Sequence, residues 1–184
     1  MAAGLSVVMP RKAREDIEGA IQHVFARGVD RRVIFIDDHD RRMFLDLLRE
    51  VIIRTEWNCL AYCLMPNHFH LLLETPKASL GSGMQRLSGD YARYVNDRQR
   101  RSGHLFQGRY GSVRVKTDEQ LLMTAAYIAD NPVEAKLCKR PEQWPWSSFC
   151  ASAPAWLATE RLNVLLGSDP HQGGSDPFRL GASE

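Results

Sequence analysis

Met65-Pro66-Asn67-His68-Phe69-His70-Leu71-Leu72-Leu73-Glu74 is the stretch on which the fold turns. Met65-Pro66-Asn67 reads as a tight turn, and the apolar residues after it read as a strand. Side chains alternate across a strand, so His68, His70 and Leu72 share one face while Phe69, Leu71 and Leu73 share the other. The second face demands a core. Two imidazoles on the first are costly to bury without a partner, and a divalent metal or a phosphate would supply one. Core histidines satisfied by ordinary hydrogen bonds would give the same letters, so the flanking sequence has to decide.

Just upstream, Trp57 to Leu64 is nearly continuous in apolar character and predicts a central strand, paired with the histidine strand as an antiparallel hairpin. Before it, Met43, Phe44, Leu47, Leu48, Val51 and Ile52 recur at helical spacing behind an Asp37-Asp38 N-cap. Earlier still, Ala20 to Gly28 alternates as a first strand, with Ile21, His23 and Phe25 on one face. Downstream, Ser79 is placed to cap a second helix whose inner stripe is Leu80, Met84, Leu87, Tyr91 and Val95. Ser102 to Gly111 is a glycine-flanked loop, and Ser112 to Val115 a short strand. Thr117-x-x-Gln120 opens a third helix with a capping-box pattern, lined by Leu121, Leu122, Ala125 and Ile128 and ended by Pro132. The order strand, helix, strand, strand, helix, strand, helix is α+β. It predicts a ferredoxin-like or RRM-like sandwich, an antiparallel sheet with helices on one face and the histidines on a central strand.

The 184 residues amount to one domain over residues 1–152, with an ordered core over about 11–152. Residues 153–184 form a C-terminal extension whose Gly/Ser/Asp-rich end beyond Gly167 is expected to be disordered. The formal net charge of +2 says little about partners, but its distribution says more. Arg86, Arg93, Arg98, Arg100, Arg101, Arg109, Arg114 and Lys116 fall in one segment against only Asp90 and Asp97, as a phosphate-tracking surface requires. No apolar run reaches the roughly 18–20 residues of a membrane span, and no secretory signal is present. A reduced, cytoplasmic setting is expected, associated with the nucleoid if the partner is DNA. Cys59, Ala61 and Cys63 alternate as small core residues, and their spacing to His68 fits a zinc knuckle poorly.

Neutral imidazoles at His68 and His70 suit a divalent cation with open positions for a phosphate and water. Such a site needs a nucleophile, and Tyr127 on the third helix is the candidate. A free tyrosine has a pKa of about 10, so it requires activation by the metal or a base. Asn131 lies one turn on, on the same helical face, where its amide oxygen can serve as a third ligand. By composition alone, an amphipathic core tyrosine and a C-terminal helix cap are the better descriptions of the two. In the loop, Arg109 can clamp a phosphate, while His104, Phe106 and Gln107 accompany it. Phe106 either stacks on a base or anchors the loop to the core. Arg93, Arg98, Arg100 and Arg101 contact a backbone or nothing. His23 and Arg27 face either the site or plain solvent.

Three runs then act together: Ala61-Tyr62-Cys63-Leu64-Met65-Pro66-Asn67-His68-Phe69-His70-Leu71-Leu72, Gly103-His104-Leu105-Phe106-Gln107-Gly108-Arg109-Tyr110 and Tyr127-Ile128-Ala129-Asp130-Asn131-Pro132-Val133. In this order they resemble the single-tyrosine HUH transposases, and more narrowly the REP-associated tyrosine transposase branch of the insertion-sequence family. Trp144-Pro145-Trp146-Ser147-Ser148 matches the segment that follows there, and the similarity runs from Arg11 to Ser152. The resemblance implies that His68 and His70 are the metal pair, serving Mg2+ or Mn2+, with Asn131 assisting. It implies that Tyr127 attacks single-stranded DNA, leaving a 5′-phosphotyrosine and a free 3′-hydroxyl. Arg11, Lys12 and Arg14 resemble the family's amino-terminal arm, set near short guide sequences beside a hairpin. The expected partner is single-stranded or hairpin DNA with REP-like repeats, bound by a monomer or homodimer. Asp130 and Glu134 depart from the family pattern by reducing the positive field, without removing a required group. Two other readings compete: a catalytically silent nucleic-acid-binding module of the same fold, and a phosphodiesterase that hydrolyses without a covalent intermediate.

Overall fold

The structure, a computed structural model, describes residues 16–167. Four strands form one antiparallel sheet in the order β2-β3-β1-β4. They are β1 (Ala20–Arg27), β2 (Asn58–Met65), β3 (His68–Thr75) and β4 (Gly111–Val115). Between them run α1 (Asp38–Thr55) and α2 (Leu80–Arg98), followed by α3 (Asp118–Glu134) and a short α4 (Glu160–Leu165). The βαββαβα order matches the sequence expectation, and β3 is indeed central. The other hairpin partner is not: β2 is an outer strand of the sheet. Its continuous apolar character has a different origin, because residues 146–148 run along its open edge. Leu64 N donates to Trp146 O at 2.8 Å, and Ser148 N donates to Tyr62 O at 3.0 Å. A strand covered on both faces and along its edge carries no polar alternation.

The two faces of the sheet have separate cores. Val24, Ala26, Phe69, Leu71 and Leu73 face α1 and α2, meeting Phe44, Leu48, Met84, Leu87 and Tyr91. Ile21, Ala61, Cys63, Leu72 and Val115 face the other way, against Leu121, Ala125 and Ile128 of α3. Helices on one face thus describes α1 and α2, while α3 lies across part of the opposite face. A bulge between Cys59 and Ala61 divides β2 between these cores. It sends Cys59 to the α1/α2 side and Cys63 to the α3 side, so the two thiols do not share a face as simple alternation requires. Burial pushes both thiols up to about 12, as expected of inert core residues.

Helix ends follow local chemistry with two differences from expectation. Asp37 caps α1 by accepting from His39 N and Asp40 N. At α2 the cap comes from afar: Asp16 accepts from Leu80 N at 2.9 Å and Gly81 N at 3.2 Å, while Ser79 makes no side-chain cap. At α3, Thr117 accepts from Gln120 N as the capping pattern requires. Pro132, however, does not end the helix. It sits in the last turn, where its missing N–H costs one bond only, and the chain continues to Glu134. Beyond Ser152 packing continues, with Leu157 buried in the α1/α2 core and Leu162 of α4 in the α3 core.

Candidate active site

The hairpin turn fixes where the histidine strand begins. Pro66 O accepts from Ile34 N and Phe35 N, and Asn67 O accepts from Gly28 N at 2.9 Å. With the turn fastened, the register places Arg27 opposite His68, Phe25 opposite His70 and His23 opposite Leu72. His23, Arg27, His68 and His70 therefore share the face that α3 only partly covers. That answers the question the sequence left open for His23 and Arg27. The signal was the alternation of Ile21, His23 and Phe25, which needed the inter-strand register to become informative.

α3 supplies the other half. Its apolar stripe Leu121, Ala125 and Ile128 rests on Ile21, Leu72 and Val115. This seating leaves Tyr127 at the border of the contact, its ring centroid 5.6 Å from that of His70 and 5.8 Å from that of His23. Tyr127 is 46% exposed, so the phenol reaches an open cleft rather than packed hydrocarbon. One turn on, Asn131 is buried. Its Nδ2 donates to Tyr127 O at 2.7 Å, which turns its oxygen toward the histidines. The cleft has a volume of about 730 Å³ and is lined by His23, Phe25, Arg27, His68, His70, Gln107, Arg109, Tyr127, Asn131 and Glu134.

Both strand histidines are held in the neutral form. Burial, with lesser contributions from His23, His68 and Arg27, pushes the pKa of His70 down to about 3. Burial and then the Arg27 charge lower that of His68, and burial lowers that of His23. Asn131 acts oppositely on His68 and His70, raising the basicity of each. His68 Nδ1 lies 2.6 Å from Asn67 Oδ1. Asn67 Nδ2 donates to Arg31 O at 3.1 Å, so the oxygen is the end that meets His68. His68 Nδ1 must then carry the proton, leaving a lone pair on Nε2. His70 Nδ1 lies 2.8 Å from His23 Nε2, while His70 Nε2 is buried with no hydrogen-bond partner. Among the described residues no three His, Cys, Asp or Glu side chains are arranged around one point to hold a metal. The donor set on offer is two imidazoles and an amide oxygen, and an orphaned buried nitrogen fits a cation there.

The remaining sequence candidates divide. Gln107 and Arg109 line the cleft, and Gln107 N donates to Arg27 O at 2.9 Å, tying the loop to the end of β1. Phe106 is only 8% exposed and packs edge-on against Phe69, so it anchors the loop to the core and offers no platform to a base. His104 is exposed but lines a separate groove between α2 and the loop. Arg93 lies on α2, which covers the far face, and pairs with Asp90 at 3.4 Å. Arg98 is bound to Asp37 and Asp40, joining α2 to the start of α1. The basic segment is thus not one surface, because three of its eight basic residues, Arg86, Arg93 and Arg98, lie on α2, remote from the cleft. Arg11, Lys12 and Arg14 lie outside the described residues.

The chain is similar in sequence and in fold to known proteins. A family model described as "Transposase IS200 like" matches residues 17–131, more than half of the chain and all of the strands and helices from β1 to most of α3. A protein of Haemophilus influenzae whose name places it with the REP-associated tyrosine transposases is 25% identical over 145 residues, spanning 69% of this chain and 82% of that one. A solved structure of a REP-associated tyrosine transposase bound to a REP hairpin has a TM-score of 0.68. It covers 96% of this chain and 98% of its own, at 18% identity, and shows the shared α+β fold. On the extent of that family match, the chain belongs to the IS200-like transposases.

Proposed function

We propose that the protein cleaves and rejoins single-stranded DNA at hairpin-bearing, REP-like repeats, with Tyr127 as nucleophile. One observation carries the reading: a half-exposed phenol on α3 lies beside His70 in a cleft of its own chain. His68, His70 and Asn131 are the residues that would hold Mg2+ or Mn2+. A cation held there would supply polarisation of a non-bridging phosphate oxygen and would offset the charge that develops on it. The buried, unpartnered Nε2 of His70 supports this assignment.

In the proposed step the Tyr127 oxygen bonds to phosphorus and the bond from phosphorus to the 3′-oxygen breaks. The phenol proton ends on the departing 3′-hydroxyl, and the 5′ side remains as a phosphotyrosine. Attack by another 3′-hydroxyl reverses the sequence and rejoins DNA, because the link conserves the energy of the broken diester. Arg27, Gln107 and Arg109 stand at the rim, where they would track phosphates and set register. Arg11, Lys12 and Arg14 would extend the contact to bases beside the hairpin. One chain contains both the histidines and the phenol, so a monomer suffices.

The test uses a stem-loop oligonucleotide with single-stranded flanks and Mn2+. An SDS-resistant protein–DNA adduct is expected, and Tyr127→Phe should abolish it while hairpin binding persists. Cleavage that is indifferent to Tyr127→Phe would replace strand transfer by hydrolysis. Binding with no cleavage by the unaltered protein would leave only a binding module.

A further inference from the structure

We infer that His23 is a positioning residue that holds His70 in the tautomer whose Nε2 lone pair faces the cleft. The inference rests on the reading that His68 and His70 hold a cation, and it assigns that site a further member from a different strand.

The neighbouring histidine shows how such a device works. Asn67, oriented by the Arg31 carbonyl, accepts from His68 Nδ1 and so fixes the free lone pair on Nε2. His70 has the same need and no amide at its Nδ1. What stands 2.8 Å from its Nδ1 is Nε2 of His23, on the adjacent strand and diagonal to it in register. Two neutral imidazoles in that contact have one donor and one acceptor between them. If His23 donates, His70 keeps its proton on Nε2, where the nearby Asn131 oxygen forms no hydrogen bond in the structure and no lone pair remains for a cation. If His70 donates, the buried Nε2 presents a lone pair beside His68 and Asn131, which is what a ligand requires. His23 is not itself a third ligand, because its Nε2 is spent on His70 and no three-residue metal cluster exists among the described residues. Its ring lies 5.0 Å from that of His70 at 27°, so the contact also restrains ring rotation. Ligating histidines are ordinarily oriented in this way through their second nitrogen, and loss of the partner costs about 10–100-fold in metal affinity.

The experiment has two readouts independent of DNA cleavage. Two-bond 1H–15N correlation spectra of the metal-free protein report which nitrogen of each histidine carries the proton. The electron paramagnetic resonance signal of unbound Mn2+ then gives affinity for the metal alone in wild type, His23→Phe, His23→Gln and His70→Ala. His70 should carry its proton on Nδ1. His23→Phe should weaken Mn2+ binding by about 10–100-fold, and His23→Gln should recover most of it, since an amide oxygen accepts the same bond. A proton on Nε2 of His70 in the wild type overturns the inference, and that measurement needs no variant to fold. So does Mn2+ affinity that is unchanged in His23→Phe, or no better in His23→Gln than in His23→Phe. In those cases a loss of binding in His70→Ala leaves the two-histidine site standing and removes only the role of His23. Binding unchanged in His70→Ala, or no binding by the wild type, removes both.

Discussion

His70 combines nearly complete burial, at 6% exposure, with a pKa pushed down to about 3, so it enters the fold uncharged. The unfolded chain protonates the same imidazole below about pH 6.5, and therefore gains stability relative to the fold as acid is added. Native stability is whole above that value and is lost as pH falls toward 3, by up to about 1.4 kcal/mol per pH unit for His70 alone. His68 and His23, also lowered by burial, act in the same sense. The Arg98 guanidinium holds Asp37 well below the usual carboxylate range, so its stabilising contribution is intact at neutral pH and is lost only as the pH falls below about 4. Urea midpoints of the metal-free protein should thus fall between pH 7 and pH 5, with a shallower fall in His70→Gln. Equal slopes would mean that the imidazole is already hydrated. At this scale the sequence was legible where a residue type has few uses. Two imidazoles on one strand face had to meet something polar. Phe106 was not legible, because an anchor and a stacking platform are written with the same letter and differ only in which side the ring packs on.

Elements show where local patterning stops being sufficient. The stripe Leu80, Met84, Leu87, Tyr91 and Val95 is buried as the helical period requires, yet the α2 cap comes from Asp16 rather than adjacent Ser79. No window of sequence around α2 contains that partner. The bulge in β2 is equally silent, since Leu60 and Ala61 are both apolar and either could face either core. One glycine in α2 does carry a readable demand once Trp57 is placed. A Cβ at Gly83 would stand 2.3 Å from the Trp57 ring, whose Nε1 donates to Ser79 Oγ at 2.9 Å. Gly83→Ala should destabilise by about 1–3 kcal/mol through overpacking, against its gain in helix propensity. Gly89, in the same helix with open space around it, should respond oppositely, with Gly89→Ala stabilising by about 0.5–1 kcal/mol. Thermal unfolding of the two variants checks both signs together, and equal shifts would contradict the packing at Trp57.

For the whole molecule, the decisive feature is a sheet with two dissimilar faces. One is closed by α1 and α2, and the other is half covered by α3, so that the uncovered half becomes the cleft. The order of elements was readable from periodicity, but the side on which α3 lands was not, because its buried stripe is compatible with either face. That landing is what brings Tyr127 to the histidines of its own chain. Mixing His70→Ala protein with Tyr127→Phe protein should consequently yield no adduct on hairpin DNA, each chain lacking one half of its cleft. Restored adduct in the mixture would mean that the phenol serves a second copy.

Mapping the point of attachment is the sharpest trial of the cleft chemistry. The adduct formed with hairpin DNA and Mn2+ is digested with trypsin and nuclease, and the peptide retaining a 5′-nucleotide is sequenced by mass spectrometry. The expected carrier is residues 117–136, in which Tyr127 is the sole tyrosine. A nucleotide attached at Tyr110, or at any residue outside that peptide, would contradict the assignment of the α3 phenol as nucleophile.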